Sequence, residues 1–85
     1  MEAILHKNFQ KSFKKLPPKI RKQFYDRAEL FRVDKYNPIL NNDSVDTVFS
    51  NCRSINVSGD YRAIFRENGD IVTFIYIGTH SELYG

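Results

Sequence analysis

Toward the C-terminal end of the chain, Asp60, Tyr61 and Arg62 in "GDYRAIF" are followed by His80 and Tyr84 in "GTHSELYG". These residue types suit the chemistry of a phosphodiester. Arginine presents a planar fork of N–H donors that matches phosphate oxygens, and imidazole exchanges protons near neutral pH. RNA carries its own nucleophile: a ribose 2'-OH attacks the adjacent phosphate once a base takes its proton. The arginine offsets charge on the phosphorane, and an acid protonates the departing 5'-oxygen. Such a reaction needs no metal and no cofactor, and a nearby tyrosine can stack on a splayed base. Plainer roles exist for the same residues. His80 can be a surface residue, Arg62 a salt-bridge partner of Asp60 or Glu82, and Tyr84 a lid on the core.

For these residues to act together, strands must bring them to one end of a sheet. Three runs read as strands: "CRSINV" (52–57), "YRAIFRE" (61–67) and "DIVTFIYIG" (70–78), joined across "SGD" and across Asn68-Gly69. Asn-Gly between such runs is a strong hairpin signal, so an antiparallel meander is expected. If Glu67 pairs with Asp70, Arg62 faces Ile75, Tyr61 faces Tyr76 and Asp60 faces Ile77. One face then carries Tyr61, Ala63, Phe65, Val72, Phe74 and Tyr76 toward the core. The other carries Asp60, Arg62, Ile64, Arg66, Ile71, Thr73, Ile75 and Ile77, with no segment obviously covering it, as an open groove. His80 falls near the Ser58–Arg62 end.

The first half is of another kind. "AILHK" suits a short edge strand. After Asn8, a good N-cap, Phe9, Phe13 and Leu16 recur on one helical face. Pro17 and Pro18 end that helix and Pro18 can begin the next, whose stripe is Ile20, Phe24, Ala28 and Phe31. The "YNPILNNDSVDTVFSN" stretch (36–51) reads as a connecting loop, long enough to suspect function. The expected fold is therefore α+β, in the order β-α-α-β-β-β, with a two-helix hairpin on one face of a mainly antiparallel sheet. Residues 1–85 are expected to form one domain.

Residues 1–36 hold ten Lys/Arg against four Asp/Glu, a balance of +6, while residues 37–85 hold three against six, a balance of −3. Lys11, Lys14, Lys15, Lys19 and Lys22 thus give the helical half a surface suited to a polyanion, or simply to water. No apolar run approaches the ~20 residues needed to span a bilayer, so no membrane role is expected and the expected address is the cytoplasm. Cys52, the single cysteine, cannot form an internal disulfide, and nothing has paired metal-ligand spacing.

"RSINVSGDYRAIF" followed by "IGTHSELY" resembles the C-terminal half of the RelE/ParE superfamily of bacterial toxins, nearest the YafQ-like branch. "FQKSFKKLPPKIRKQF" is similar to that superfamily's helical hairpin, so the resemblance spans essentially the whole chain. It implies a toxin of a type II toxin–antitoxin system: a metal-independent endoribonuclease that cuts mRNA on the ribosome and is restrained by a cognate antitoxin. By that resemblance His80 matches the proton-transferring histidine, Arg62 the phosphate-binding arginine, Asp60 the aspartate before an aromatic, and Tyr84 the aromatic four residues after the histidine. Tyr61 and Arg66 join the five lysines as candidate contacts to mRNA and ribosomal RNA. YafQ-like toxins carry further histidines where this chain has Asp43 and Asn56. Asp43 is the candidate base, although a carboxyl with its ordinary pKa of ~3.9 is a weak one, and Asn56 transfers no proton. The superfamily also contains ParE-like gyrase poisons that cleave no RNA, and a toxin decayed to a basic binding module is a third possibility.

Overall fold

The computed structural model describes residues 1–85. Strand β1 (Glu2–Leu5) leads into helices α1 (Lys7–Phe13) and α2 (Pro18–Val33). A turn of 3-10 helix (Pro38–Leu40) and the short β2 (Asp43–Ser44) follow. The chain ends with β3 (Arg53–Ser58), β4 (Tyr61–Asn68), β5 (Ile71–Thr79) and α3 (His80–Tyr84). The expected α+β order is present with two additions, β2 and α3. No helix is long and apolar enough to cross a membrane.

The helices begin and end for local reasons. Helix α1 starts before Asn8, the expected cap, because the chain leaves β1 at His6, whose N–H still bonds Phe74 O of β5 at 2.9 Å. His6 then caps α1, its Nδ1 accepting from Asn8 N at 3.1 Å. Pro17 and Pro18 break the path, and Arg21 donates to Leu16 O at 2.7 Å and Lys14 O at 3.3 Å. Carbonyls left open where α1 ends are thereby satisfied. The apolar stripes are those expected: Phe9 and Phe13 from α1, Phe24 and Phe31 from α2, with Leu16, Ile20 and Ala28 packed beside them.

The sheet runs β1-β5-β4-β3-β2. β1 is parallel to β5 and all other pairs are antiparallel. Two corrections to the expected register matter. The hairpin closes on Asn68↔Ile71, not Glu67↔Asp70, so Gly69 and Asp70 form the turn and Tyr61 faces Thr79. A shift of two residues leaves side chains on their faces. The second correction does not. Ile64 pairs Tyr76 while Phe65 pairs Phe74, so Ile75 is an extra, bulged residue. One added residue reverses the faces beyond it. Ile77, expected on the open side, is buried in the helix-side core, and Tyr76, expected in the core, is 36% exposed on the opposite face. Asp60 lies in the β3–β4 turn and not opposite Ile77.

Phe74 is central to the helix-side core, with ring centroids 5.1 Å from Phe24, 5.7 Å from Phe65 and 6.0 Å from Phe9. The other face is not the open groove expected. Ile64, Ile75 and Cys52 form a second apolar cluster, covered by Val45 and Phe49 of the 36–51 segment and by Leu83 of α3. These two segments lie far from each other in sequence, and no periodicity announces either. What stays open is nearer β1, where Ile4, Ile71 and Arg66 are exposed.

Phe74→Ala should cost about 3–5 kcal/mol of stability in urea unfolding, and Tyr76→Ala about 1 kcal/mol or less. Equal losses would contradict the bulge that separates their environments.

Candidate active site

Arg62 lies between Asn56 of β3 and Gly78 of β5. Its Nε donates to Ser54 Oγ at 2.9 Å, and its Nη2 to Ser54 Oγ at 2.7 Å, Ser54 O at 3.1 Å and Asn41 O at 2.8 Å. Its Nη1 donates to Asn56 Oδ1. None of the chain's ion pairs involves it, so it is not the salt-bridge partner of Asp60 or Glu82. The bonds to Ser54, Asn56 and Asn41 were not legible from sequence.

His80 opens α3, a helix that sequence reading missed although "THSE" carries its signal. Thr79 Oγ1 accepts from Glu82 N at 3.3 Å and Glu82 Oε1 accepts from Thr79 N at 2.8 Å, a reciprocal capping box. Gly78 permits the fold-back, since a Cβ there would stand 3.2 Å from Glu82 Oε1 and 3.3 Å from its Cβ. His80 N donates to Asp60 O at 3.2 Å, so histidine and aspartate share one end of the sheet. The exposed His80 ring lies 4.7 Å from that of Tyr84, tilted by 52°. Tyr84 rests in turn against Phe49, with centroids 6.0 Å apart, and Phe49 against Tyr76 at 5.3 Å. The loop that seals the second cluster therefore also supports the aromatic partner of His80.

The remaining candidates are dispersed. Asp43 pairs with Ser54 through β2, at the sheet edge farthest from β1, with Arg62's strand between it and the strand leading to His80. Arg66, exposed, shares Arg62's face. Tyr61 packs on the helix-side core and, with Lys15, Leu16, Ile77 and Glu82, lines a groove of about 460 Å³ beside α3. Lys11 and Lys14 line a different groove of about 660 Å³, with Leu5, Phe13 and Tyr25. Lys22 pairs with Asp26 at 3.1 Å, and Lys19 is exposed. Of the five lysines, Lys15 is the one placed beside α3.

The fold that carries these residues is that of a known group of small toxins. The family model of the ParE toxin of type II toxin–antitoxin systems matches residues 3–84, and the chain belongs to that family. Within the wider RelE/ParE superfamily its fold is similar to that of YafQ from E. coli strain BL21(DE3). That similarity has a TM-score of 0.83 at 15% identity and covers 99% of this chain and 98% of that one. A YoeB/ParE toxin from Agrobacterium tumefaciens gives 0.76 at 9% identity over 94% and 99%. The RelB–RelE antitoxin–toxin complex from Methanococcus jannaschii gives 0.74 at 24% identity over 95% and 94%. No curated protein matches. The chain is thus a toxin of a toxin–antitoxin system, and the YafQ-like reading of its fold holds.

The Glu82 carboxyl is held below its ordinary 4.5 by the hydrogen bonds to Thr79. Its stabilisation of α3 is present above that ordinary value and lost as pH falls through the lowered one. Glu82→Gln, which can still cap, should retain α3 and remove this acid-side loss. NMR hydrogen exchange at the α3 amides between pH 6 and 3 reads both effects. Loss of protection in Glu82→Gln at neutral pH would show that charge, not the cap, holds the helix.

Proposed function

We propose that this toxin is a ribosome-dependent endoribonuclease that cuts mRNA at the end of the sheet where Arg62 and His80 stand. The observation that carries the reading is an arginine held by neutral acceptors and paired with Gly78, two residues before a histidine whose ring lies tilted against that of a tyrosine. Arg62 binds the scissile phosphate and offsets the charge that builds on it. The 2'-oxygen forms its bond to phosphorus as the P–O5' bond breaks. A base accepts the 2'-OH proton and His80 gives a proton to the 5'-oxygen, leaving a 2',3'-cyclic phosphate and a 5'-hydroxyl. Tyr84 holds the imidazole and offers a surface to a neighbouring base.

Two carboxylates compete for the role of base. Asp60 joins His80 through its backbone carbonyl, and Asp43 pairs with Ser54, the residue that holds Arg62, on the side of Arg62's strand away from β5. Comparing Asp60→Asn with Asp43→Asn decides between them. Arg66 and Lys15 hold flanking RNA, with Lys11, Lys14, Lys19 and Lys22 adding contacts to ribosomal RNA that position the protein without reading sequence. Charge reversal at Lys11, Lys14 and Lys15 should weaken ribosome association and flatten its salt dependence.

Solved relatives include DinJ–YafQ and RelB–RelE complexes of antitoxin and toxin. By analogy a cognate antitoxin, acidic or amphipathic, covers Arg62 and His80 of this chain in the cytoplasm. A second reading, a ParE-like toxin that poisons gyrase without cutting RNA, is favoured by the family model that matches.

Primer extension on ribosome-bound mRNA separates the readings. His80→Ala should lower cleavage about 10²- to 10⁴-fold while circular dichroism stays unchanged. Arg62→Ala should also lower it, with Arg62→Lys restoring only part because a point charge does not reproduce the fork. EDTA should not inhibit. Wild-type protein that cuts nothing and stalls gyrase overturns the ribonuclease reading.

A further inference from the structure

The partners of Arg62 form a built cradle, and every one of them is uncharged. Ser54, 1% exposed, receives both Nε and Nη2, and Asn56 receives Nη1. The third acceptor, Asn41 O, comes from a residue at φ 47°, ψ 56°, a left-handed conformation that asparagine tolerates better than most side chains. That conformation is anchored from behind. Asn37 Oδ1 caps the 3-10 turn through Ile39 N at 3.0 Å, and Leu40 is completely buried. On the other side, β3 shifts register between Asn56 and Ser58, an irregularity of the kind that re-aims side chains next to functional sites.

A guanidinium used only to rivet strands together would gain most from a carboxylate, because charge-assisted pairs are the stronger ones. Here the fold partly removes a cation from water and gives it orientation without neutralising it. Nη1 also keeps a second N–H for which the chain supplies no acceptor. Direction is fixed, charge is left over, and a donor is unspent.

We infer that Asn56, with Ser54 and the Asn41 carbonyl, is a positioning residue that holds Arg62 pre-aimed and uncompensated for a phosphodiester of single-stranded RNA. The inference rests on the proposed reading that Arg62 binds the scissile phosphate. It gives the Asn56 position a role that needs no proton transfer. A neutral amide oxygen orients the fork, and any acidic group in its place would hold the fork equally well while cancelling the charge that the phosphate is to meet.

The test uses a 2'-O-methyl RNA hexanucleotide, which binds but lacks the nucleophile and cannot be cut, with the Arg62 Hε resonance and fluorescence anisotropy as readouts. Asn56→Asp should keep or raise the melting temperature. It should weaken hexanucleotide binding at least tenfold and reduce the slope of log K against log salt by about 0.7, the loss of one phosphate contact to a single strand. Asn56→Ala, which removes the acceptor without adding charge, should weaken binding by a smaller factor with the salt slope retained. It keeps the test readable if the aspartate variant fails to fold. Unchanged affinity and slope in a folded Asn56→Asp, or in Asn56→Ala if that variant alone folds, would make Arg62 a structural rivet and overturn the inference. The expected binding changes in a protein that cleaves no ribosome-bound mRNA would leave the cradle standing and remove only the ribonuclease reading.

Discussion

Between Phe74 and Tyr76, β5 carries one residue more than the strand beside it, and both sides of the molecule depend on that extra position. Before the bulge, Val72 and Phe74 point into the aromatic cluster beneath the helices; after it, Ile77 takes up that side. Ile75 is released to the opposite face, where it meets Ile64 and Cys52. A regular strand would have sent Tyr76 into the helix-side core and Ile77 outward. The second cluster, and with it the seat for α3 and the Val45–Cys52 loop, would then lose its shape.

That second cluster connects packing to the candidate site. Leu83 of α3 and Phe49 of the loop are drawn onto it by apolar burial, and each brings something polar or aromatic to the sheet end. Helix α3 brings His80, held by its backbone bond to Asp60 O, and Phe49 props Tyr84 behind the imidazole. So short a helix has little stability of its own in water. Its position rests on the capping box, on the close approach allowed by Gly78 and on the burial of Leu83.

The basic half proves heterogeneous once folded. Arg21 closes the end of α1, and Arg27 Nε bonds Val57 O of β3 at 3.2 Å, so these two cations serve the fold. Lys22 is engaged with Asp26, while Lys11 and Lys14 border an apolar-floored groove away from α3. A linear count of charge gives each of them the same weight. Folding separates cations that tie backbone together from those left to meet a partner, and only the second kind adds to long-range attraction of a polyanion.

The helical stripes of Phe9, Phe13, Phe24 and Phe31, the break at Pro17-Pro18 and the three main strands could all be read from residue spacing. Each depends on a local period or on the stereochemistry of one residue. The motif "THSE" announced a helix start just as locally, and reading it would have placed His80 on α3. The grouping of His80 with Asp60 also followed from sequence, because a short hairpin leaves few ways to align its ends. The bulge at Ile75, the cover over the second face and the acceptors around Arg62 could not be read in this way. A bulge is decided by which of two registers buries more on both faces at once. The cover and the cradle join residues from β3, β4, α3 and the 36–51 segment, whose meeting is set by closure of the whole sheet. Sequence by itself determined which residues have the chemistry to bind a phosphate and move a proton. The tertiary structure alone decided that Arg62 would be aimed by neutral groups, since hydrogen-bond partners at such separations are chosen by global packing and not by local preference.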